Sequence, residues 1–227
     1  MATLTSAGSI WNTTADSKTV TATPAVGDLI VVVASSSGLA GGTTAVTDDN
    51  SSGTYTQVDS DRTGFSTTGV LTVWVRDQLI AAASSTIFTI AQVGSSGGGG
   101  VVYRVAGMRS VGAAAVRGNG GQSTGTAGTT PAPVLSVTPL LDNPIITAVS
   151  NGTNGGGVTY RATYADNGPA GYNTPATGLE CGFVNSGETT ATITWGGTSA
   201  SAFASVAIEL DASRVPRFTS YPQLLAH

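Results

Sequence analysis

Leu29-Ile30-Val31-Val32-Val33-Ala34-Ser35 is an apolar run that opens after Gly27-Asp28 and empties into a Gly/Ser stretch at 36–44. Its β-branched residues favour a strand, and its lack of alternation predicts burial on both faces. Val70-Leu71-Thr72-Val73-Trp74-Val75-Arg76 does alternate. Leu71, Val73 and Val75 point one way, and Val70, Thr72, Trp74 and Arg76 the other. Further strands are predicted at 19–23, 54–58, 86–91 and 101–106. Gly97 to Gly100 reads as a flexible hinge, and 107–133, rich in Gly, Thr and Ala, as a long crossing loop.

The second half repeats this order. Residues 143–150 mirror 29–36, 158–162 mirror 54–58, 179–184 mirror 70–75, 189–195 mirror 84–90, and 205–211 mirror 101–107. The offsets are 109 from Val70 to Leu179, 105 from Ser84 to Thr189 and 104 from Val101 to Ser205. A recurring order at a nearly fixed step predicts a structural repeat with halves at roughly 19–107 and 134–211. The expected fold is all-β: a two-sheet antiparallel β-sandwich of jelly-roll type over 1–211, its halves related by a pseudo-two-fold. Two separate small domains are the alternative arrangement.

Composition agrees. The 227 residues include 35 Thr, 31 Gly and 24 Ser, against 9 Lys+Arg and 13 Asp+Glu. Thr and Val suit strands, Gly and Ser suit turns, and the usual helix formers are scarce. A mean hydropathy of +0.17 with clean apolar runs separates the chain from disordered Gly/Ser/Thr sequences. One Cys (Cys181) and one His (His227) exclude a disulfide framework and a structural zinc site, and leave a nucleophile only a terminal imidazole. Net charge −4, with one Lys and eight Arg spread singly, argues against nucleic acid. The first residues have no basic segment or apolar core, so no secretory signal is expected and synthesis is placed in the cytosol. The longest apolar stretch, Leu29 to Ala34, falls far short of the ~20 residues of a membrane helix.

Little chemistry is visible. Asp48-Asp49-Asn50 offers oxygens to a hard cation but lacks a closing Glu, and reads as an Asx turn. Asp59 and Asp61, before Arg62, read as solvated loop charges. No pattern selects a carboxylate pair, Cys181 reads as a buried small hydrophobe, and Gly97 to Gly100 precedes a strand rather than a phosphate-binding helix. No catalytic residue, metal or cofactor is therefore assigned. Trp74 and Trp195 hold strand positions expected in the core, while Trp11 lies outside a clear strand. Trp11, Tyr160, Tyr164 and Tyr172 are candidate glycan contacts. After Asp211 the composition changes. Arg214, Arg217, Phe218, Tyr221, Leu224 and Leu225, with Pro216 and Pro222, predict an extended arm over 212–227. Such an arm packs on its own body or docks on a neighbour, its Arg on carboxylates and its apolar side chains in pockets.

The ordered blocks Val26-Gly27-Asp28-Leu29-Ile30-Val31-Val32-Val33, Val46-Thr47-Asp48-Asp49-Asn50 before Thr54-Tyr55-Thr56, Val70-Leu71-Thr72-Val73-Trp74-Val75, and Val101-Val102-Tyr103-Arg104-Val105-Ala106-Gly107 resemble a β-sandwich module of tailed-bacteriophage structural proteins. The likeness runs over roughly residues 20–211. Asn143-Pro144 departs from the Asp-Leu of that pattern, and Asn50 is followed by Ser-Ser instead of Thr-Tyr. The resemblance implies a non-enzymatic virion component, made in the host cytoplasm. A capsid decoration or minor capsid protein on the major capsid lattice comes first, docked by the arm and by residues 1–12, and oligomeric with a trimer favoured. A carbohydrate- or receptor-binding tail module is the alternative. It implies no catalytic residues.

Overall fold

The computed structural model describes residues 1–12, 15–38, 42–65, 68–152, 157–166, 170–173 and 176–212. The first half contributes β1 (Thr3–Asn12), β2 (Ser17–Ala22), β3 (Leu29–Ser37), β4 (Ala45–Asp48), β5 (Tyr55–Gln57), β6 (Arg62–Thr63), β7 (Val70–Arg76), β8 (Thr86–Ala91) and β9 (Gly97–Ala106). A 3-10 turn at Gly112–Ala115 leads into the second half. This half holds β10 (Val116–Gly125), β11 (Ile145–Asn151), β12 (Val158–Thr159), β13 (Ala165–Asp166), β14 (Ala170–Asn173), β15 (Ala176–Val184), β16 (Gly196–Gly197) and β17 (Phe203–Leu210). The fold is all-β, and every strand pairing is antiparallel.

Two six-stranded sheets form the centre. One runs β1-β9-β3-β7-β5 with β6 also on β7, the other β10-β17-β11-β15-β13 with β14 also on β15. Their facing sides make the largest core. Leu29, Val31 and Val33 of β3 meet Val73, Val101 and Tyr103 of their own sheet, and Ile146, Ala148, Cys181 and Val206 of the other. The even residues of β3, Ile30, Val32 and Ala34, turn outward onto a three-stranded sheet, β2-β8-β4, through Val46, Phe88 and Ile90. β3 is thus covered on both sides along its whole length, which is why its sequence does not alternate. The second half has a thinner outer layer, formed by the β12-β16 pair and the bridge Val134–Thr192. It covers Ile145 with Leu135 and Ile193, and Val149 with Trp195.

The halves correspond strand for strand and in register. Val31 lies between Tyr103 and Val75, and Ile146 between Ile208 and Phe183. Val33 lies between Val101 and Val73, and Ala148 between Val206 and Cys181. β1 packs against β14 and β10 against β6, as exchange of the halves requires. Ser35 and Ser150 are equivalent residues, and their Oγ atoms are 2.6 Å apart. A residue that touches its own counterpart sits on the pseudo-two-fold. Ser150 donates to Gly178 O at 2.9 Å, so its single proton is committed and Ser35 donates to it.

Several sequence expectations are corrected. Val116–Gly125, read as part of a crossing loop, is strand β10 on β17. Residues 3–12, given no strand by the sequence, form β1 on β9, with Ala2 and Leu4 in the central core. The supposed hinge Gly97 to Gly100 is the first part of β9, buried between β1 and β3. Residues 158–162 do not mirror 54–58: β12 takes the place of β4, and β13 that of β5. Pairing also moves three alignments by one residue. The offsets are 115 from Val31 to Ile146, 108 from Val75 to Phe183 and 105 from Val101 to Val206.

Candidate functional site

One corner of the second half is built around a buried carboxylate. Glu209 on β17 is fully buried. Arg117 Nη1 of β10 donates to its Oε2 at 2.6 Å, and Leu140 N and Asn143 Nδ2 donate to its Oε1 at 2.8 and 2.7 Å. Strand β10 and the 140–143 turn are thereby both fixed to one side chain of β17 by charge-assisted bonds. Asn143 passes the constraint on. Its N–H closes a turn onto Leu140 O at 3.0 Å, and its Oδ1 accepts the N–H of Ala212 at 3.1 Å. Gly187 N holds Leu141 O at 2.7 Å.

This rigid base carries an apolar rim. Met1 is 81% exposed, Leu141 60% and Leu140 40%. With Asp142, Asn143 and Ala212 they line a concavity of about 510 Å³. Scattered exposed aliphatics are ordinary, but three around one concavity on a fixed base make a candidate contact surface. The equivalent turn of the first half, closed by Asp28 N on Ala25 O at 3.1 Å, exposes Val26. The sequence reading missed this corner, because Leu140 and Leu141 look like an ordinary apolar pair before Asp142-Asn143-Pro144. The arm residues Arg214, Arg217, Phe218, Tyr221, Leu224 and Leu225 lie outside the described residues.

A second arrangement recurs in both halves with its charges exchanged. In the first half Asp48, at the end of β4, accepts Arg76 Nε at 2.7 Å and Tyr55 OH at 2.8 Å. The ion pair is wholly buried. The guanidinium also donates to Gln78 O and Leu79 O, each at 2.9 Å, and to Asn50 O. In the second half Tyr164, the counterpart of Tyr55, donates to Glu188 at 3.3 Å. Here the arginine, Arg161, follows β12, the place of the acid before. The acid, Glu188, follows β15, the place of the arginine before. Burial draws the Glu188 carboxyl upward. The hydroxyl and N–H of Thr190, the Arg161 charge and the N–H of Thr189 outweigh this and hold it below its ordinary value. Burial, then the neighbouring carboxylate, pushes both tyrosine hydroxyls well above theirs.

The other sequence candidates are dispersed. Tyr164 is buried against Ile145 and Ile193, which corrects its reading as an exposed glycan contact. Tyr160 packs on Trp195 with ring centroids 5.5 Å apart and donates to Glu180. Trp11 is in β1, half-buried against the central core, not outside a strand. Tyr172 is in β14, and its side chain lies outside the described residues. Trp195 and Cys181 are core residues, as expected. Asp48 makes the expected Asx turn, accepting Asn50 N at 2.9 Å, but its carboxylate is also bound to Arg76. Asp59 is not a solvated charge: it is buried, paired with Arg62 at 2.6 Å and joined by Asn119 of the other half. Among the described residues no three His, Cys, Asp or Glu side chains cluster as a metal site. No family model, curated protein or solved structure matches the chain.

Proposed function

We propose that the protein is a non-enzymatic structural component of a bacteriophage virion, a capsid decoration or minor capsid protein held on its lattice by the Met1/Leu140/Leu141 corner and the arm that follows it. The observation that carries this reading is the exposed apolar rim on a base locked by Glu209, immediately beside Ala212, where the chain continues into 213–227. Such a corner gives the arm a fixed point of departure, and docking then costs little ordering of the body. The strand order supports the jelly-roll part of the reading: successive strands β1, β2, β3 and β4 alternate between the inner and outer sheets, as do β7, β8 and β9. Buried carboxylates serve internal pairs (Asp48 with Arg76, Glu209 with Arg117, Asp59 with Arg62), which suits a rigid scaffold.

The test is incorporation into particles. Leu141→Asp and a chain ending at Ala212 are each expected to lower the copy number per particle at least tenfold while leaving the melting temperature of the free protein unchanged. Val26→Asp, at the equivalent turn, is the control. Full incorporation of both altered chains would overturn the reading.

A further inference from the structure

The exchanged ion pair of the second half leaves room that its counterpart does not. Around Arg76 the loops close over the guanidinium, which is fully buried. Around Arg161 a cleft of about 330 Å³ remains, lined by Ala162, Thr163, Ser186, Thr189 and Thr190. The arginine side chain is 33% exposed.

The bonding is uneven. Glu188 Oε1 accepts Thr189 N at 3.1 Å, Thr190 N at 3.0 Å and Thr190 Oγ1 at 2.6 Å, and Oε2 accepts Tyr164 OH at 3.3 Å. The carboxylate is well satisfied without its arginine. The bonds of Arg161 itself, to Glu188 and to Thr192 O, are all 3.3–3.4 Å, the weak end of the range. A planar guanidinium held this loosely, at the wall of an open cleft, retains fork geometry for a carboxylate. The hydroxyls of Thr163, Ser186 and Thr189 beside it are donors and acceptors of the kind that meet sugar hydroxyls, and that of Thr190, its proton committed to Glu188, can still accept. The volume is that of a small-ligand site. One cation with a carboxylate already at its side favours a monoanion over a doubly charged phosphate.

We propose that the Arg161 cleft binds a carboxylate-bearing sugar, with Arg161 on the carboxylate and the Thr/Ser rim on neighbouring hydroxyls. This site adjoins the Leu141 corner through Gly187, whose N–H holds Leu141 O, but uses none of that corner's apolar side chains and does not rest on the corner's role.

The probe is glucuronate, titrated into the ¹⁵N-labelled full chain, with glucose and inorganic phosphate in parallel. Glucuronate is expected to shift the amides of Thr163 and of 186–190 saturably, at millimolar concentration, as suits a single sugar unit. Arg161→Met should weaken binding at least tenfold and Ser186→Ala severalfold, with the rest of the spectrum unchanged. Glu188→Gln, which removes the competing charge, should tighten it. Absence of saturable shifts overturns the proposal. So does equal binding of glucose, which would remove the role of charge, or tighter binding of phosphate, which would remove the carboxylate.

Discussion

Asp48 and Arg76 are both fully buried, so removing one strands the other. Asp48→Asn should cost about 3–5 kcal/mol, read from the midpoint of urea unfolding, while the double change Asp48→Leu with Arg76→Met should recover most of it. Arg161→Met, at a partly exposed pair, should cost less than about 1 kcal/mol. Glu188 gives a pH signature. Its folded pKa lies below the ordinary glutamate value of 4.5, so the unfolded chain binds more protons between the two. Its stabilisation is complete above that value and is lost as pH falls through the folded one. The stability gap between the native chain and Glu188→Gln should therefore narrow on acidification below about pH 4.5. Lys18 gives a second signature of the same sign, at alkaline pH. It is 1% exposed, donates to Ser95 at 2.7 Å, and burial, only partly offset by Asp16, lowers its pKa. Here too the unfolded state binds more protons in the window, so stability should rise with pH from the folded value towards 10.5, and Lys18→Met should abolish that rise. The Asx turn at Asp48 was legible in the sequence because it is local. The ion pair was not, since Arg76 is 28 residues away on another sheet.

Among the elements, β3 and β7 were readable because apolar pattern alone defines them. β1 and β10 were not. VRGNGGQSTG in β10 has no apolar period, and its glycines read as loop, yet they are required by close approach. A Cβ on Gly120 would run into Val134 O, and one on Gly99 of β9 into Ile10 O. Both are backbone atoms and cannot swing aside. Gly99→Ala should cost at least about 1–3 kcal/mol in unfolding experiments, whereas a flexible hinge would accept it freely. The repeat was visible in the order of strands, but three of its alignments were one residue out. A slip of one exchanges the faces of a strand. Thr/Val-rich strands buried on both sides give little contrast between faces, so composition could not fix the register that pairing fixes.

For the molecule as a whole, the shared core makes each half incomplete. Residues 1–110 alone would expose Leu29, Val31, Val33, Val73, Val101 and Tyr103 together. Such a fragment should run as a dimer or larger species by size exclusion with light scattering, because the missing face has the same shape as its own. A well-folded monomer would show that the halves are independent. The serine pair at the pseudo-axis has a consequence for dilution. Where two free subunits must find each other, melting depends on how much protein is present. Here a short covalent link holds the second half at a permanently high effective concentration. The melting temperature should be the same at nanomolar as at micromolar protein, so the body keeps its form however thinly it is spread.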